Sequence, residues 1–376
     1  MRIELTDQQA QAKSDFRAFV DREVAPHADR FDQEERIPEE LIKKLGQQGY
    51  LGSVVPQASG GTGADMITFG ILNEELGRGC SSVRSLLTVH SMVAHSILKW
   101  GSKDQKASWL PKLVAGEAIG AFALSEPAVG SDAKSIEATA RVAGDRYILN
   151  GRKRWITYGQ IADVFILFAQ LDGKVTAFLV EKDSPGFAAE PIYGMMGTRG
   201  SMLAELHMND CEIPVHNRIG GIGFGLAAIV TAALDIGRYS VAWGSVGIAQ
   251  ACLEACIAYT SERMQFGVPI KDHQLVRQMM TEMVTNTKAA RLLCYQAGYL
   301  KDSGDPRTVM ETWIAKYFAS RAAVQASSDA VQIHGANGCS SAYPVQRYFR
   351  DAKIMEIIEG STQIQQINIA KYAYEE

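Results

Sequence analysis

The sequence lacks the markers of several protein classes. Its six cysteines are scattered without a Cys-x-x-Cys pair, and its seven histidines show no metal-ligand spacing. We expect no membrane span, because no run of about 18 apolar residues is present, and the first residues lack the apolar stretch of a secretory signal. The net charge is −4, so no overall positive field attracts nucleic acid. These absences favour a cytoplasmic, reduced, metal-free protein.

What is present is the composition of an ordinary globular protein. Of 376 residues, 47% are hydrophobic and 21% are charged, a length and balance that predict two or three domains. Residues 1–120 have helical periodicity, with Thr6 and Gln9 as a capping box and Pro38 at a helix entry. Residues 121–225 are β-rich, and Asp172-Gly173 predicts a hairpin. Residues 226–376 return to long helical segments, which predict a bundle.

A glycine-rich stretch, GGIGFG at 220–225, does not fit the dinucleotide-binding pattern. Its third glycine comes one position too early, and it follows a polar loop instead of opening a strand–helix unit. We therefore interpret it as a flexible connector between the middle and last domains.

Two other stretches suit the binding of a polar heterocycle. ALSEPAVGSD at 123–132 offers hydroxyls and a turn whose backbone N–H groups can meet an anion or a ring edge. RWIT at 154–157 adds an indole and a hydroxyl, fit for stacking and hydrogen bonding. Packing of Trp155 in a core is an equally good interpretation of the local sequence.

Seven motifs in register resemble the acyl-CoA dehydrogenase family, over essentially the whole chain. They are GAFALSEPAVGSD, NGRKRWIT, GTRGSMLAELHMNDCEIP, LDIGR, ERMQFGVPIKDHQ, QIHGANG and IIEGSTQIQ. The resemblance implies an α-helical N-terminal domain, a middle β-barrel and a C-terminal four-helix bundle, with FAD as cofactor. It also implies a homodimer or homotetramer, because cofactor contacts in the family cross between subunits.

The resemblance assigns most of the flavin contacts. Those near the ring are expected at Phe122, Leu124, Ser125, Ser131, Trp155, Ile156 and Thr157. Contacts reaching a neighbouring subunit's FAD are expected at Arg263, Gln265 and Phe266. The pyrophosphate and adenine side is expected at Gln332, Gly335, Ala336, Thr362 and Gln363. Ala336 stands where the family usually has a second glycine, and Ser125 where it more often has threonine.

Glu359, in EIIEGSTQ, can be a solvated surface residue or a base in an apolar pocket. It matches the family's catalytic base, which removes the α-proton of an acyl thioester. Gly360 can end one helix, and Thr362 with Gln365 predicts a capping box for the next, so Glu359 would lie at a kink. Some family members carry the base just before the arginine of LDxxR, where this chain has Gly237. Arg238, with Asp235, is expected near the site.

Two departures from the family bear on the substrate. Arg84 lies in the segment that usually borders the acyl channel, and Trp243 stands where small residues are usual. Arg84 would pair with a polar or anionic substrate end, and Trp243 would shorten the acyl cavity. The alternative is a solvated Arg84 and a Trp243 packed in the bundle.

These segments resemble most the dehydrogenases that act on acyl groups held by a carrier protein, in hydroxymalonyl- or aminomalonyl-carrier formation for polyketide and nonribosomal peptide synthesis. A short-chain acyl-CoA dehydrogenase with an electron-transfer flavoprotein as acceptor is the alternative. A flavin monooxygenase generally lacks a base at this position, and a noncatalytic assembly protein would have no use for the flavin-site residues together with Glu359.

Overall fold

The N-terminal part of the chain is helical, as predicted. The computed structural model describes residues 4–374. Thr6 and Gln9 form the predicted capping box, and α3 begins directly after Pro38. The helices are α1 Asp7–Glu23, α2 Ala28–Gln33, α3 Glu39–Gln47, α4 Met66–Gly79, α5 Ser81–Trp100 and α6 Lys103–Ala115.

The middle part is a single sheet of eight strands. Its order is β6-β7-β3-β2-β4-β5-β8, and β1 pairs with β4 in parallel. The strands are β1 Gly120–Ala123, β2 Thr139–Ala143, β3 Arg146–Ile156, β4 Val164–Leu171, β5 Lys174–Glu181, β6 Phe187–Pro191, β7 Ala204–Pro214 and β8 Arg218–Ile219. The predicted hairpin is confirmed: Leu171 pairs with Lys174 across Asp172 and Gly173, both with positive φ.

The C-terminal part is a helical bundle, which confirms the expected fold class. A π-helical segment, Gly225–Val230, runs directly into the longest helix. The elements are α7 Thr231–Glu262, a small hairpin of β9 Met264–Gln265 and β10 Val268–Pro269, α8 Gln274–Asp302, α9 Thr308–His334, α10 Val345–Met355 and α11 Thr362–Ala373. Helices α4 and α5 pack on α7, so the N-terminal part and the bundle share an interface.

The glycine-rich stretch is a connector, but one end of it is tightly packed. Gly220 and Gly223 have positive φ, which suits a turn. A Cβ on Gly225 would lie 2.7 Å from the carbonyl oxygen of Val175. Close packing on β5 therefore requires glycine there, and only the preceding residues form an open turn.

One helical span in the described part of the chain, Gly225–Glu262, is long and apolar enough to cross a membrane by length and composition. The mean hydropathy of its most apolar window is 1.4, and 67% of that window is buried inside the protein. Contacts with α4, α8 and α9 cover this helix. Its composition is therefore that of a bundle's central helix.

Candidate active site

Glu359 lies in a sharp turn between two helices, as predicted. Helix α10 ends at Met355 and α11 begins at Thr362. Glu359 has φ 55° and Gly360 has φ 93°. A non-glycine residue in the left-handed region is strained, and such strain concentrates at functional sites. The turn directs the Glu359 side chain into the protein interior.

Buried side chains from two other helices hold the carbonyl groups of this turn. Arg238 Nε donates to Glu359 O at 3.1 Å, and Lys316 Nζ donates to Gly360 O at 2.6 Å. Gln365, fully buried, also donates to Gly360 O at 3.2 Å. The predicted Thr362–Gln365 capping box is wrong. Ser361 is the N-cap, since its side chain accepts the N–H of Ile364. The Gln365 amide is engaged with the turn instead.

The Glu359 carboxylate is shielded from solvent although the residue as a whole is half-buried. Its Oε2 has no hydrogen-bond partner in the described part of the chain, and it lies against Gly237, where an added Cβ would overlap it. Burial raises the pKa of Glu359 to about 7, opposed by the charges of Arg238, Arg84 and Lys316. A carboxyl group with that pKa can exchange a proton near neutral pH.

Arg84 is completely buried, so the alternative of a solvated arginine is wrong. Nη1 donates to Thr88 Oγ1 at 2.8 Å, Nη2 donates to Met355 Sδ at 3.4 Å, and Nε has no partner in the described structure. Within residues 4–374 no carboxylate forms an ion pair with it. Burial lowers its pKa to about 10, and the nearby negative charges of Glu359 and Asp351 oppose that shift.

Trp243 lies on a different face of α7 from Gly237, the residue that adjoins Glu359. Its indole packs against Gly70, where a Cβ would overlap the ring, and makes edge contacts with Tyr239 and Tyr295. This placement is the bundle packing that the sequence left open as the alternative. Shortening of the acyl cavity by Trp243 stays a prediction without support from these contacts.

Asp235 pairs with Lys301 of α8, and the guanidinium of Arg238 lies 4.1 Å from the ring centre of Trp313. Arg238 therefore contacts the Glu359 turn directly, whereas Asp235 neutralises a lysine on the neighbouring helix. The sequence placed both near the site without distinguishing these two roles.

The three parts of the chain meet at α5. Tyr158, fully buried just after β3 and with φ 57°, donates from its hydroxyl to Ser82 O at 2.8 Å. Ser85 and Ser201 share a hydrogen bond of 2.7 Å. These bonds attach the end of the sheet to the helix that carries Arg84. The sequence analysis did not identify Tyr158; its position directly after RWIT was the available signal.

The edge of the sheet presents an open aromatic surface. Trp155 has φ 64° and is 46% exposed, with the Arg154 guanidinium 4.6 Å from its ring centre. Ser125 Oγ donates to Arg154 O at 3.1 Å. The Thr157 hydroxyl makes no hydrogen bond within the described residues. An exposed indole with an uncommitted hydroxyl nearby fits a flat, hydrogen-bonding ring such as a flavin.

A buried ion pair lies on the interior side of the sheet edge that carries Trp155. Lys153 Nζ donates to Glu126 Oε1 at 2.7 Å and to Leu124 O at 3.0 Å, and both side chains are inaccessible to solvent. Glu126 also accepts the N–H groups of Glu137 and Ala138. The pair connects the segment ALSEPAVGSD to the segment NGRKRWIT. The sequence analysis missed both residues, although each lies inside a quoted motif.

The other predicted ring contacts differ in exposure. Phe122 packs on Phe168 with ring centres 5.0 Å apart, and Ile156 is buried, so both belong to the core behind the edge. Leu124 is half-buried, and Ser131 is exposed in the loop before β2.

The remaining predicted cofactor residues lie on the surface of the bundle. Phe266 projects from the β9–β10 hairpin at 93% exposure with φ 52°. Gly335 has φ 59° and ψ −136°, which glycine alone adopts readily. Asn337 and Tyr259 link the end of α7 to the segment after α9. The exposed positions are Arg263, Gln265, Phe266, Gln332, Gly335, Ala336 and Gln363, while Thr362 is half-buried and bonds to Glu356 O.

The fold consists of N-terminal helices, a sheet and a C-terminal helical bundle. Together with the buried carboxylate of raised pKa and the open indole edge, it is that of a flavin-dependent dehydrogenase. The chain belongs to the acyl-CoA dehydrogenase family. Its N-terminal, middle and C-terminal domain families match residues 6–117, 121–211 and 223–374. The protein is therefore an FAD-dependent oxidoreductase that acts on the CH–CH group of acyl thioesters.

Two curated relatives match the chain over nearly its full length. An acyl-CoA dehydrogenase of Bacillus subtilis is 39% identical over 376 residues, covering 98% of this chain and 99% of the relative. The human mitochondrial short-chain specific acyl-CoA dehydrogenase is 38% identical over 374 residues, covering 98% and 90%.

Three solved structures superpose closely. A chain from work on the electron transferring flavoprotein of Acidaminococcus fermentans has a TM-score of 0.97 at 37% identity, covering all of both chains. The prolyl acyl carrier protein oxidase AnaB has a TM-score of 0.94 at 31% identity, covering 98% and 100%. FkbI, described for biosynthesis of a methoxymalonyl extender unit, has a TM-score of 0.89 at 31%, covering 97% and 99%.

Proposed function

We propose that this dehydrogenase oxidises a short, polar acyl group carried by an acyl carrier protein, in the formation of hydroxymalonyl or aminomalonyl extender units for polyketide or nonribosomal peptide synthesis. The observation that carries the proposal is Arg84: a fully buried guanidinium without a carboxylate partner in the described structure, close enough to Glu359 to lower its pKa.

The charges around Glu359 are unbalanced. Arg84, Arg238 and Lys316 are buried cations, and each is affected electrostatically by Glu359. Buried charge is costly unless it is paired. In hydroxymalonyl or aminomalonyl formation the C3 oxygens become a carboxylate, which would supply the missing negative charge at Arg84, the one of the three that does not bind the turn's carbonyl groups.

Glu359 would act as the base. Its Oε2 is uncommitted, and the backbone N–H of Glu359 donates to no acceptor within the described residues, so this N–H is free to bind the thioester carbonyl. Binding of that carbonyl acidifies the α C–H, and Glu359 takes the proton. For C3 oxidation of a hydrated aldehyde to a carboxylic acid, Glu359 would take a hydroxyl proton instead.

FAD, when bound, accepts the hydride that leaves the substrate carbon. We propose that Trp155, Thr157 and Ser125 hold its ring, with Phe122, Leu124, Ser131 and Ile156 around them. The adenine side would lie at Gln332, Gly335, Ala336, Thr362 and Gln363. The almost fully exposed Phe266, with Arg263 and Gln265, would reach the FAD of a second copy, which supports a homodimer or homotetramer.

A short-chain acyl-CoA dehydrogenase is the second candidate, with an electron-transfer flavoprotein as the acceptor. Its support is the identity of 38% to the human short-chain enzyme, against 31% to FkbI and to AnaB. Its difficulty is that a plain acyl chain leaves Arg84 without a partner.

An anaerobic visible spectrum of the holoenzyme distinguishes the two candidates. We expect the flavin band to persist with butyryl-CoA and to bleach with a hydroxyacyl or aminoacyl group loaded on a carrier protein. Arg84→Met is the matched variant and should lose the carrier-linked reaction. Rapid bleaching by butyryl-CoA, with none by the carrier-linked groups, would establish the short-chain enzyme.

A further inference from the structure

Arg84 is the first member of a buried chain of hydrogen bonds that crosses three helices. Its Nη1 donates to Thr88 Oγ1 at 2.8 Å, and the Thr88 and Ser240 hydroxyls are 2.6 Å apart. Ser240 Oγ donates to Asn73 Oδ1 at 2.5 Å, and Asn73 Nδ2 donates to Phe69 O at 2.8 Å. The chain thus connects α5, α7 and α4 without contact with solvent.

The direction of the chain is determined by its two ends. The Asn73 amide donates to a backbone carbonyl, so its oxygen must accept the Ser240 proton. Ser240 therefore accepts from Thr88, and Thr88 accepts from the guanidinium of Arg84. In this arrangement every donor along the chain points from Arg84 towards Asn73, and the Arg84 carbonyl oxygen, 3.1 Å from Thr88 Oγ1, is the competing acceptor for the Thr88 proton. A buried chain of hydrogen bonds of this kind restrains its members to one geometry.

A glycine on α7 leaves room for the arginine in that geometry. A Cβ on Gly244 would lie 2.8 Å from Arg84 Cδ and 2.9 Å from Nε. On the opposite side Nη2 contacts Met355 Sδ at 3.4 Å. The guanidinium is therefore held from both sides, while three of its five N–H groups have no acceptor within residues 4–374.

We propose that Thr88, Ser240 and Asn73 are positioning residues that orient Arg84 to receive the C3 oxygens of the acyl group, which form a carboxylate once C3 is oxidised. This proposal rests on the proposed function, since it assumes that Arg84 binds the substrate. The new element is that the preference for a charged acyl group depends on the neutral side chains of Thr88, Ser240 and Asn73, which do not contact that group. A planar guanidinium binds a carboxylate well only in a defined orientation, so loosening the chain weakens that selectivity.

The test compares the binding of two pantetheine thioesters to the FAD-loaded enzyme. Malonyl-pantetheine carries a carboxylate, and malonamoyl-pantetheine has a neutral primary amide of the same shape in its place. Neither has a hydrogen that can leave from the β carbon, so neither is turned over. The flavin absorbance change on titration gives each Kd. We expect the wild type to prefer malonyl-pantetheine by roughly tenfold or more, as a charge-assisted hydrogen bond provides.

Three variants locate the origin of that preference. Arg84→Met should abolish it. Thr88→Val, which keeps the shape but removes the hydroxyl, should reduce it roughly tenfold, while Thr88→Ser, which keeps the hydroxyl, should retain it. Ser240→Ala should behave like Thr88→Val. Its matched control is Ser245→Ala, which removes another buried hydroxyl of α7 that bonds only to Val241 O.

The outcomes separate this inference from the function on which it rests. A wild-type enzyme without preference for malonyl-pantetheine would overturn both. A preference that Arg84→Met abolishes, with Thr88→Val equal to Thr88→Ser and Ser240→Ala equal to Ser245→Ala, would overturn only the positioning role. Loss of the preference in the hydroxyl-free variants, with the affinity for malonamoyl-pantetheine unchanged, would establish it.

Discussion

Gly237 and Glu359, 122 positions apart in the sequence, occupy adjoining space: a Cβ on Gly237 would overlap the Oε2 atom of Glu359. The absence of a side chain at Gly237 is what allows the Glu359 carboxylate to lie against α7. The sequence analysis considered a base at two positions, 237 and 359. Side chains at these positions would occupy the same space, one from α7 and the other from the turn after α10.

Gly237→Ala should displace the carboxylate. Because a shift of about 1 Å in a catalytic group can cost about a hundredfold in rate, we expect a loss of that order in kcat. Thermal unfolding of the variant checks that the fold persists. In a Glu359→Gln background, Gly237→Ala should cost little more, since the two changes act on one group. Full additivity of the two losses would contradict the relationship.

Glu359→Gln should remove the base without disturbing its surroundings, because Oε2 makes no hydrogen bond within the described structure. We expect kcat to fall about 10²- to 10⁴-fold, with FAD retained and the visible spectrum unchanged. Glu356→Gln is the matched control, since Glu356 pairs with Lys353 beside the same turn. Equal losses in the two variants would refute the assignment of Glu359.

The rate should depend on pH through the pKa of Glu359. A base must be deprotonated, so kcat/KM should rise with pH and level off above about 7. Arg84 lowers that pKa, so Arg84→Met should move the midpoint to higher pH. The wild-type profile is measured by stopped-flow reduction of the flavin, and in Arg84→Met, which should lose the reaction, the Glu359 carboxyl is titrated directly by pH-difference infrared spectroscopy. A midpoint that stays in place in Arg84→Met would show that the two charges do not interact.

The free energy of unfolding should also depend on pH through the titration of Glu359, but it should fall as the pH rises. The folded-state pKa of about 7 lies above the ordinary value of 4.5 expected in the unfolded chain. The folded state therefore binds more protons between these values, and the free energy of unfolding falls as pH rises through that window, by up to about 3 kcal/mol for this group. Urea unfolding at pH 5 and pH 8 should show a smaller pH dependence in Glu359→Gln.

Lys153→Met should destabilise the sheet edge. It leaves the Glu126 carboxylate buried without its cation, a change that typically costs about 3 to 5 kcal/mol. We expect a lower unfolding temperature and weaker FAD retention, because the pair supports the segment around Leu124. Lys182→Met is the control: its ion pair with Asp163 is partly exposed, and its loss should cost at most about 1 kcal/mol. Similar losses in both variants would refute the supporting role.

The architecture was largely predictable because local patterns and tertiary packing agree. The Thr6–Gln9 capping box and the Asp172-Gly173 hairpin depend on residues two to four positions apart, and both formed as expected. The Thr362–Gln365 box did not form, because both side chains bond to carbonyl groups of the preceding turn: Thr362 to Glu356 O and Gln365 to Gly360 O.

The site was only partly predictable. Motif spacing singled out Glu359 and the arginine departure at 84, but it left open whether Trp243 borders the acyl cavity or packs in the bundle, where the indole contacts Gly70. Helical periodicity alone does not tell which neighbour covers which face of a fully buried helix such as α7. The Lys153–Glu126 pair was missed for a related reason, since its partners come from different segments.

The sequence by itself determined the order of helices, strands and helices, the turn at Gly360 and the family, because these follow from short-range backbone preferences and from motifs in register. Only the tertiary structure decided that Arg84 is buried without a carboxylate partner, that Gly237 adjoins Glu359, and that Asn73 and Ser240 complete a chain to Thr88. Those features arise from the desolvation of charged and polar groups when α4, α5 and α7 pack together, and desolvation depends on the whole fold.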